Sequence, residues 1–207
     1  MMNEKTPGNP AGTYGLVLCG GQSSRMGTDK SMLVYHAKPQ RYHLYELMRP
    51  FCKKVFISCK HSHATGIAHG YAVLTDDHLY NNTGPAAALL TAFERFPGGD
   101  ILLIGCDYPF LTATELEYFF KMIPAVKPVA FYNEEADLPE PLLAWYPYSC
   151  YGMLKEQFRS GRHSLKQFLQ ENGSIRYIPL NKDSIQSVDT EEEYSKTKKI
   201  IRDKNGG

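Results

Sequence analysis

The residues best suited to chemistry begin with one continuous run, Leu18-Cys19-Gly20-Gly21-Gln22-Ser23-Ser24-Arg25-Met26-Gly27-Thr28-Asp29-Lys30. Glycines let a backbone come close to a phosphate and aim its N–H groups at it. Ser23 and Ser24 add hydroxyl donors, and Arg25 and Lys30 add two cations. The whole chain carries a formal net charge of only +1, so this is a local concentration of anion-binding groups. The pattern points to a polyphosphate site. It is not a P-loop, because Gly27 is followed by Thr28 and Asp29, and it is not the G-x-G-x-x-G dinucleotide fingerprint.

Two further strings supply carboxylates. Gly105-Cys106-Asp107-Tyr108-Pro109-Phe110-Leu111 follows the most apolar stretch of the chain. A carboxylate at the end of such a strand can hold Mg²⁺ against the α- and β-phosphates of a nucleotide. Asp76-Asp77 follows another apolar run, with Gly84-Pro85 eight residues on.

The elements that must position these residues are legible from apolar runs and breakers. Strands are expected at 14–18, 54–59, 71–74, 100–105, 126–132 and 142–146, with an edge strand at 174–180 that contains Pro179. Helices are expected at 39–48, 84–96, 112–122, 149–158, 164–169 and 190–202. Pro85 suits a first helical turn, and Thr112 a cap. The acidic, proline-bearing stretch 133–141 reads as a loop over the active face. Alternation of near-continuous apolar strands with helices implies a mostly parallel sheet covered on both faces, a Rossmann-like three-layer α/β/α sandwich. Ligands of such sheets bind at the carboxyl ends of the strands, so the loops after Leu18, Cys59, Leu74 and Gly105 are where the site belongs.

Composition narrows the class. With 207 residues, 43% hydrophobic and 22% charged, the chain reads as one globular domain over 13–203 behind a polar tail at 1–12. Near-neutral charge gives no basic face for nucleic acid or an anionic membrane, and no run is apolar enough to span a bilayer. The five cysteines include no C-x-x-C pair and read as buried free thiols, which fits a reducing cytoplasm. Cys59-Lys60-His61-Ser62-His63 has some metal-ligand character, but the set lacks a fourth ligand at regular spacing.

The run from Leu18 to Lys30 resembles the L-x-G-G-x-S-x-R-M-G-x-D-K signature of molybdenum cofactor guanylyltransferases and their nucleotidyltransferase relatives. The resemblance implies the nucleotide-diphospho-sugar transferase type of fold and Mg-dependent transfer of GMP from GTP to the terminal phosphate of molybdopterin, releasing pyrophosphate. It implies that Leu18, Cys19, Gly20, Gly21 and Ser23 cradle the nucleotide, and that Arg25 and Lys30 meet its phosphates. Cytidylyl relatives usually read Ala-Gly where this chain has Gly20-Gly21, which tilts the base toward guanine. The D-x-P-x-L match makes Asp107 the metal ligand, and register makes Asp76 the nucleotide contact ahead of the helix-opening Gly84.

Four departures accompany the match. Position 19 is Cys where Ala is usual, Ser58 stands where an Asn commonly touches the nucleotide, and Ala88 replaces the glycine of P-L-A-G. Near the end, Ser187 and Asp189 replace two Asn residues thought to face the pterin. Arg162 lies in a segment resembling the family's G-x-R-S-L and joins them as an expected acceptor-side residue. The expected partners are therefore GTP and molybdopterin, for a monomer in transient contact with other cofactor-biosynthesis proteins. The alternatives are a CTP-dependent or sugar-phosphate nucleotidyltransferase of the same fold, or a GTP-binding regulator without turnover.

Overall fold

A computed structural model describes residues 12–19, 29–80, 83–123 and 126–204. Seven strands form one sheet: β1 (Tyr14–Leu18), β2 (Lys54–Cys59), β3 (Val73–Thr75), β4 (Ile101–Gly105), β5 (Val129–Asn133), β6 (Leu138–Tyr146) and β7 (Ile175–Tyr177). Their spatial order is β3-β2-β1-β4-β6-β5-β7. β1, β2, β3 and β4 are mutually parallel, β6 runs antiparallel to both β4 and β5, and β7 is parallel to β5.

The helices are α1 (Gln40–Met48), α2 (Pro85–Arg95), α3 (Ala113–Lys121), α4 (Tyr151–Arg159), α5 (Leu165–Asn172) and α6 (Glu191–Lys204). Alternating strand residues face opposite layers. Val17, Ile57, Leu102 and Ile104 pack with Leu44 and Met48 of α1 and Leu116 and Phe119 of α3. Leu16, Phe56, Ile101 and Leu103 pack with Leu89, Leu90 and Phe93 of α2, Leu154 of α4 and Phe168 of α5. Helices thus cover both faces, as the alternation of elements implies. Each large side chain buried in these layers contributes roughly 1.5–3 kcal/mol. Ala86, Ala87 and Ala88 are fully buried in the second layer, so the residue replacing the family's glycine packs into the core.

Local chemistry fixes the ends of the elements. Thr112 accepts from the Glu115 N–H and Ser164 from the Gln167 N–H, two side-chain caps. Gly84 holds φ at +71° directly before Pro85 opens α2, a backbone state that favours glycine. Among the described residues no helix is long and apolar enough to cross a membrane.

Three expectations are corrected. The stretch 133–141 is not a loop: it makes a tight turn, with Asp137 at φ +52°, and then becomes the start of β6. Pro139 and Pro141 are tolerated there because β4 pairs only with residues 143–146, leaving that part of β6 locally one-sided. β5 begins at Val129 instead of 126, one residue after Pro128, whose carbonyl accepts from Ile175. β3 is shifted by about two residues, to Val73–Thr75. The expected tail lies almost wholly outside the described residues.

Candidate active site

The chain leaves β1 for β2 and β3 on one side, then returns to place β4 on the other. The gap between β1 and β4 is therefore a topological switch point, where the connecting segments diverge and open a crevice. Leu18 is the register partner of both Ser58 and Gly105, so the ends of β1, β2 and β4 lie level. Cys19 and Asp107 follow at the mouth of the crevice. The Cys19 N–H donates to the Ser58 carbonyl at 2.9 Å.

Asp107 is held on the second residue beyond β4. A Cβ on Gly105 would lie 2.5 Å from Asp107 Oδ1, so the carboxyl folds back into space that only glycine leaves open. That oxygen is buried and has no hydrogen-bond partner among the described residues. Burial pushes the Asp107 carboxyl up from the usual range; its own backbone N–H and the charge of Lys30 oppose this, and Asp189 adds to it.

Lys30 opens a short turn capped by Asp29, whose carboxylate accepts from the Ser31 N–H at 2.9 Å. The Lys30 ammonium donates to Asp189 Oδ1 at 2.5 Å and to the Val188 carbonyl at 3.0 Å. The Val188 N–H in turn donates to the Asp107 carbonyl at 3.1 Å. One dipeptide from the C-terminal region thus joins the lysine to the aspartate. Ser187 Oγ donates to Asp189 Oδ2 at 3.4 Å.

The dipeptide is itself held by a capping box that spacing could have revealed. Thr190 Oγ1 accepts from the Glu193 N–H, while Glu193 Oε2 accepts from the N–H groups of Asp189 and Thr190 at 2.8 and 2.9 Å. Behind Asp107, the buried Tyr108 donates its hydroxyl to Glu140 of β6 at 3.0 Å. The sequence carried no signal for that second contact.

On the β2–β3 side, Ser58 Oγ and Asp76 Oδ1 are both buried. Burial raises the Asp76 carboxyl, while the Ser58 hydroxyl and the charge of Lys60 act to lower it. Asp77 is occupied locally: its carboxylate accepts from the Leu79 N–H at 2.9 Å and lies 3.0 Å from His78. Arg162 forms an ion pair with Glu171 at 2.8 Å. Gly20, Gly21, Ser23 and Arg25 lie outside the described residues. His61 and His63 sit on an exposed short turn, and among the described residues no group of three or more His, Cys, Asp or Glu is arranged to hold a metal ion.

The profile of the MobA-like NTP transferase domain matches residues 15–175 of the chain. The chain belongs to this family. Among relatives of this MobA-like chain, a molybdenum cofactor biosynthesis bifunctional protein from Synechocystis is 31% identical over 186 residues, which is 87% of this chain and 52% of that protein. The chain thus spans about half of that relative. A molybdenum cofactor guanylyltransferase from Pasteurella multocida is 26% identical over 164 residues, covering 77% of this chain and 85% of the relative. The crystal structure of molybdopterin-guanine dinucleotide biosynthesis protein A from Archaeoglobus fulgidus superimposes with a TM-score of 0.74 at 20% identity, covering 92% of this chain and 99% of that one. That likeness identifies the fold as the nucleotide-diphospho-sugar transferase type.

Proposed function

We propose that this chain transfers GMP from GTP to the terminal phosphate of molybdopterin or the molybdenum cofactor, releasing pyrophosphate. The observation that carries the reading is the meeting of Lys30 and Asp107, 77 positions apart, through Val188 at the switch point. Relatives named molybdenum cofactor guanylyltransferase supply the acceptor and the base.

In this reading Leu18, Cys19, Gly20, Gly21 and Ser23 form the nucleotide cradle, with Ser58, Asp76 and Gly84 along its β2–β3 side. Asp107 would hold the divalent cation, Mg²⁺, and its unpartnered buried oxygen fits that task. Mg²⁺ needs only one or two carboxylates when phosphate oxygens and water complete its shell, so a three-residue cluster is not required. When bound, the ion withdraws charge from the phosphates. Lys30 and Arg25 neutralise the charge that develops as pyrophosphate leaves. The acceptor phosphate is already ionised near neutral pH, so neither a covalent nucleophile nor a general base is needed; in-line positioning supplies the rest.

Ser187 and Asp189 stand on the acceptor side, beside Lys30. Arg162, which pairs with Glu171, completes the proposed acceptor-side set. Residues 13–203 act as one catalytic domain, working in the cytoplasm as a monomer that meets other cofactor-biosynthesis proteins transiently.

The test is pyrophosphate release with Mg²⁺ and molybdopterin, comparing GTP, CTP, ATP and UTP. Release with GTP alone, and only when the pterin is present, is the expected result. Release with CTP would move the chain to the cytidylyl branch, and GTP binding without any release would replace the enzyme by a regulator.

A further inference from the structure

Cys19 and Cys106 are the first residues beyond β1 and β4, and they follow a matched pair, Leu18 and Gly105. Chains leaving adjacent strands at one level are about 4.8 Å apart, inside the range of Cα separations a disulfide spans. The two side chains point into the same layer, and their sulfurs lie 3.4 Å apart, sharing a weak hydrogen bond. Both thiols are free. Bond formation needs the sulfurs to approach by only roughly 1.4 Å, since a disulfide bond is about 2.05 Å long.

We propose that Cys19 and Cys106 form a peroxide-responsive thiol pair whose closure to a disulfide locks the mouth of the nucleotide site. Cys19 is the residue from which the glycine-rich run departs, and Cys106 directly precedes Asp107. A bond between them ties the two loops together at their roots. The Asp107 carboxyl is already pressed against Gly105, so its direction has little room to adjust. Misplacing such a group by about 1 Å can cost on the order of 100-fold in function.

The chemistry balances with hydrogen peroxide as oxidant. The hydrogen bond to Cys19 and burial push the Cys106 thiol up, so Cys19 is the attacking sulfur. Its thiolate attacks a peroxide oxygen and becomes a sulfenic acid as the O–O bond breaks, and the other oxygen leaves with the thiol proton as water. The second sulfur displaces the sulfenic oxygen, which leaves as water with the remaining proton. Two electrons pass from the sulfurs to the peroxide. Burial of both thiols suits a small oxidant better than a protein disulfide, whose approach it would block. Cys59, at the end of β2 in the same layer, is the neighbouring thiol that must be distinguished.

The disulfide stands on geometry alone, whereas its effect on the nucleotide rests on the function proposed above. The reduced full-length chain is titrated with hydrogen peroxide, alkylated, digested without reductant and mapped by mass. In parallel, GTP affinity is measured before and after oxidation and again after dithiothreitol. One linked peptide pair through Cys19 and Cys106 is expected, with loss of two hydrogens and GTP affinity weakened about tenfold or more, reversibly. Cys59→Ala should keep both effects, and Cys106→Ala should lose the linkage and the peroxide response. Linkage through Cys59, over-oxidation without linkage, or linkage with unchanged GTP affinity each overturns the proposal. If the reduced protein binds no GTP, the proposed function fails, while the peptide map still decides the disulfide.

Discussion

The ammonium of Lys30 lies 2.5 Å from the carboxylate of Asp189, a residue 159 positions later in the chain. The pair is partly open to water, with side chains 23% and 52% exposed. An ion pair in such a setting is worth about 0.2–1 kcal/mol. It nevertheless matters here, because the lysine is proposed to serve phosphate and the aspartate competes for it.

Replacing Asp189 by Asn keeps a hydrogen-bond acceptor and removes the competing charge. Asp189→Asn is therefore expected to tighten GTP binding by roughly 2- to 5-fold at low salt, the equivalent of the exposed ion pair. Titration calorimetry at two ionic strengths checks it; weaker binding at both would count against the phosphate role of Lys30.

Asp107 separates activity from stability. Asp107→Asn and Lys30→Ala are expected to lower kcat by at least about 100-fold, the scale of losing one preorganised electrostatic group. Asp107→Asn should at the same time raise the melting temperature of the nucleotide-free protein, because it removes the charge that burial disfavours at this carboxyl. A folded variant that turns over near the wild-type rate would sink the assignment.

Gly105→Ala tests how Asp107 is aimed. The added methyl would sit 2.5 Å from Asp107 Oδ1 and 3.3 Å from Leu142 Cβ, so the carboxyl must swing away. Turnover should fall by about 10-fold or more while stability drops by only about 1–3 kcal/mol, the scale of overpacking. Raising Mg²⁺ should restore part of the loss, and an initial-rate series in Mg²⁺ reads this directly.

Glu115 is a buried carboxylate that organises the segment following β7. It accepts from the Tyr177 hydroxyl at 2.7 Å, the Leu180 N–H at 2.8 Å and the Ser184 hydroxyl at 3.2 Å. Glu115→Ala leaves those donors unpaired and should cost roughly 3–5 kcal/mol. Denaturant unfolding measures it. Near-normal stability would show that water replaces the carboxylate.

His43 stacks on His36 at 3.7 Å, and its pKa is lowered to about 4 by burial, then by the charges of His36 and Lys38. The unfolded chain protonates near the ordinary value of about 6.5, so between those values it binds more protons than the fold. Stability supplied by neutral His43 is full above the unfolded value and is lost as pH falls from about 6.5 toward 4. Urea midpoints should decline across that window, and the decline should be shallower in His43→Gln.

The sequence made the parallel half of the fold legible because β1, β2 and β4 are buried on both faces and therefore read as unbroken apolar runs. Gly84-Pro85 and Thr112 marked helix starts through local backbone chemistry. The hairpin at 133–141 was hidden because its prolines and acids mimic a loop, and only the absence of a β4 partner there makes them compatible with a strand. The Lys30–Asp189 pair was beyond any spacing rule, since it depends on where α6 begins. The Thr190–Glu193 capping box that fixes that start was within reach of local pattern.

The C-terminal segment is stitched to the beginning of the chain. Tyr194 packs edge-on against Tyr35 at 5.1 Å and donates to the Val34 carbonyl, while Val188 and Asp189 engage Lys30. All seven strands are complete by Tyr177, well before this clasp exists. A nascent chain can therefore assemble its entire sheet while Lys30 still lacks both of these partners. The contact therefore acts as a latch on the crevice: a copy clipped between Tyr177 and Val188 would own the scaffold but not the finished surroundings of Lys30.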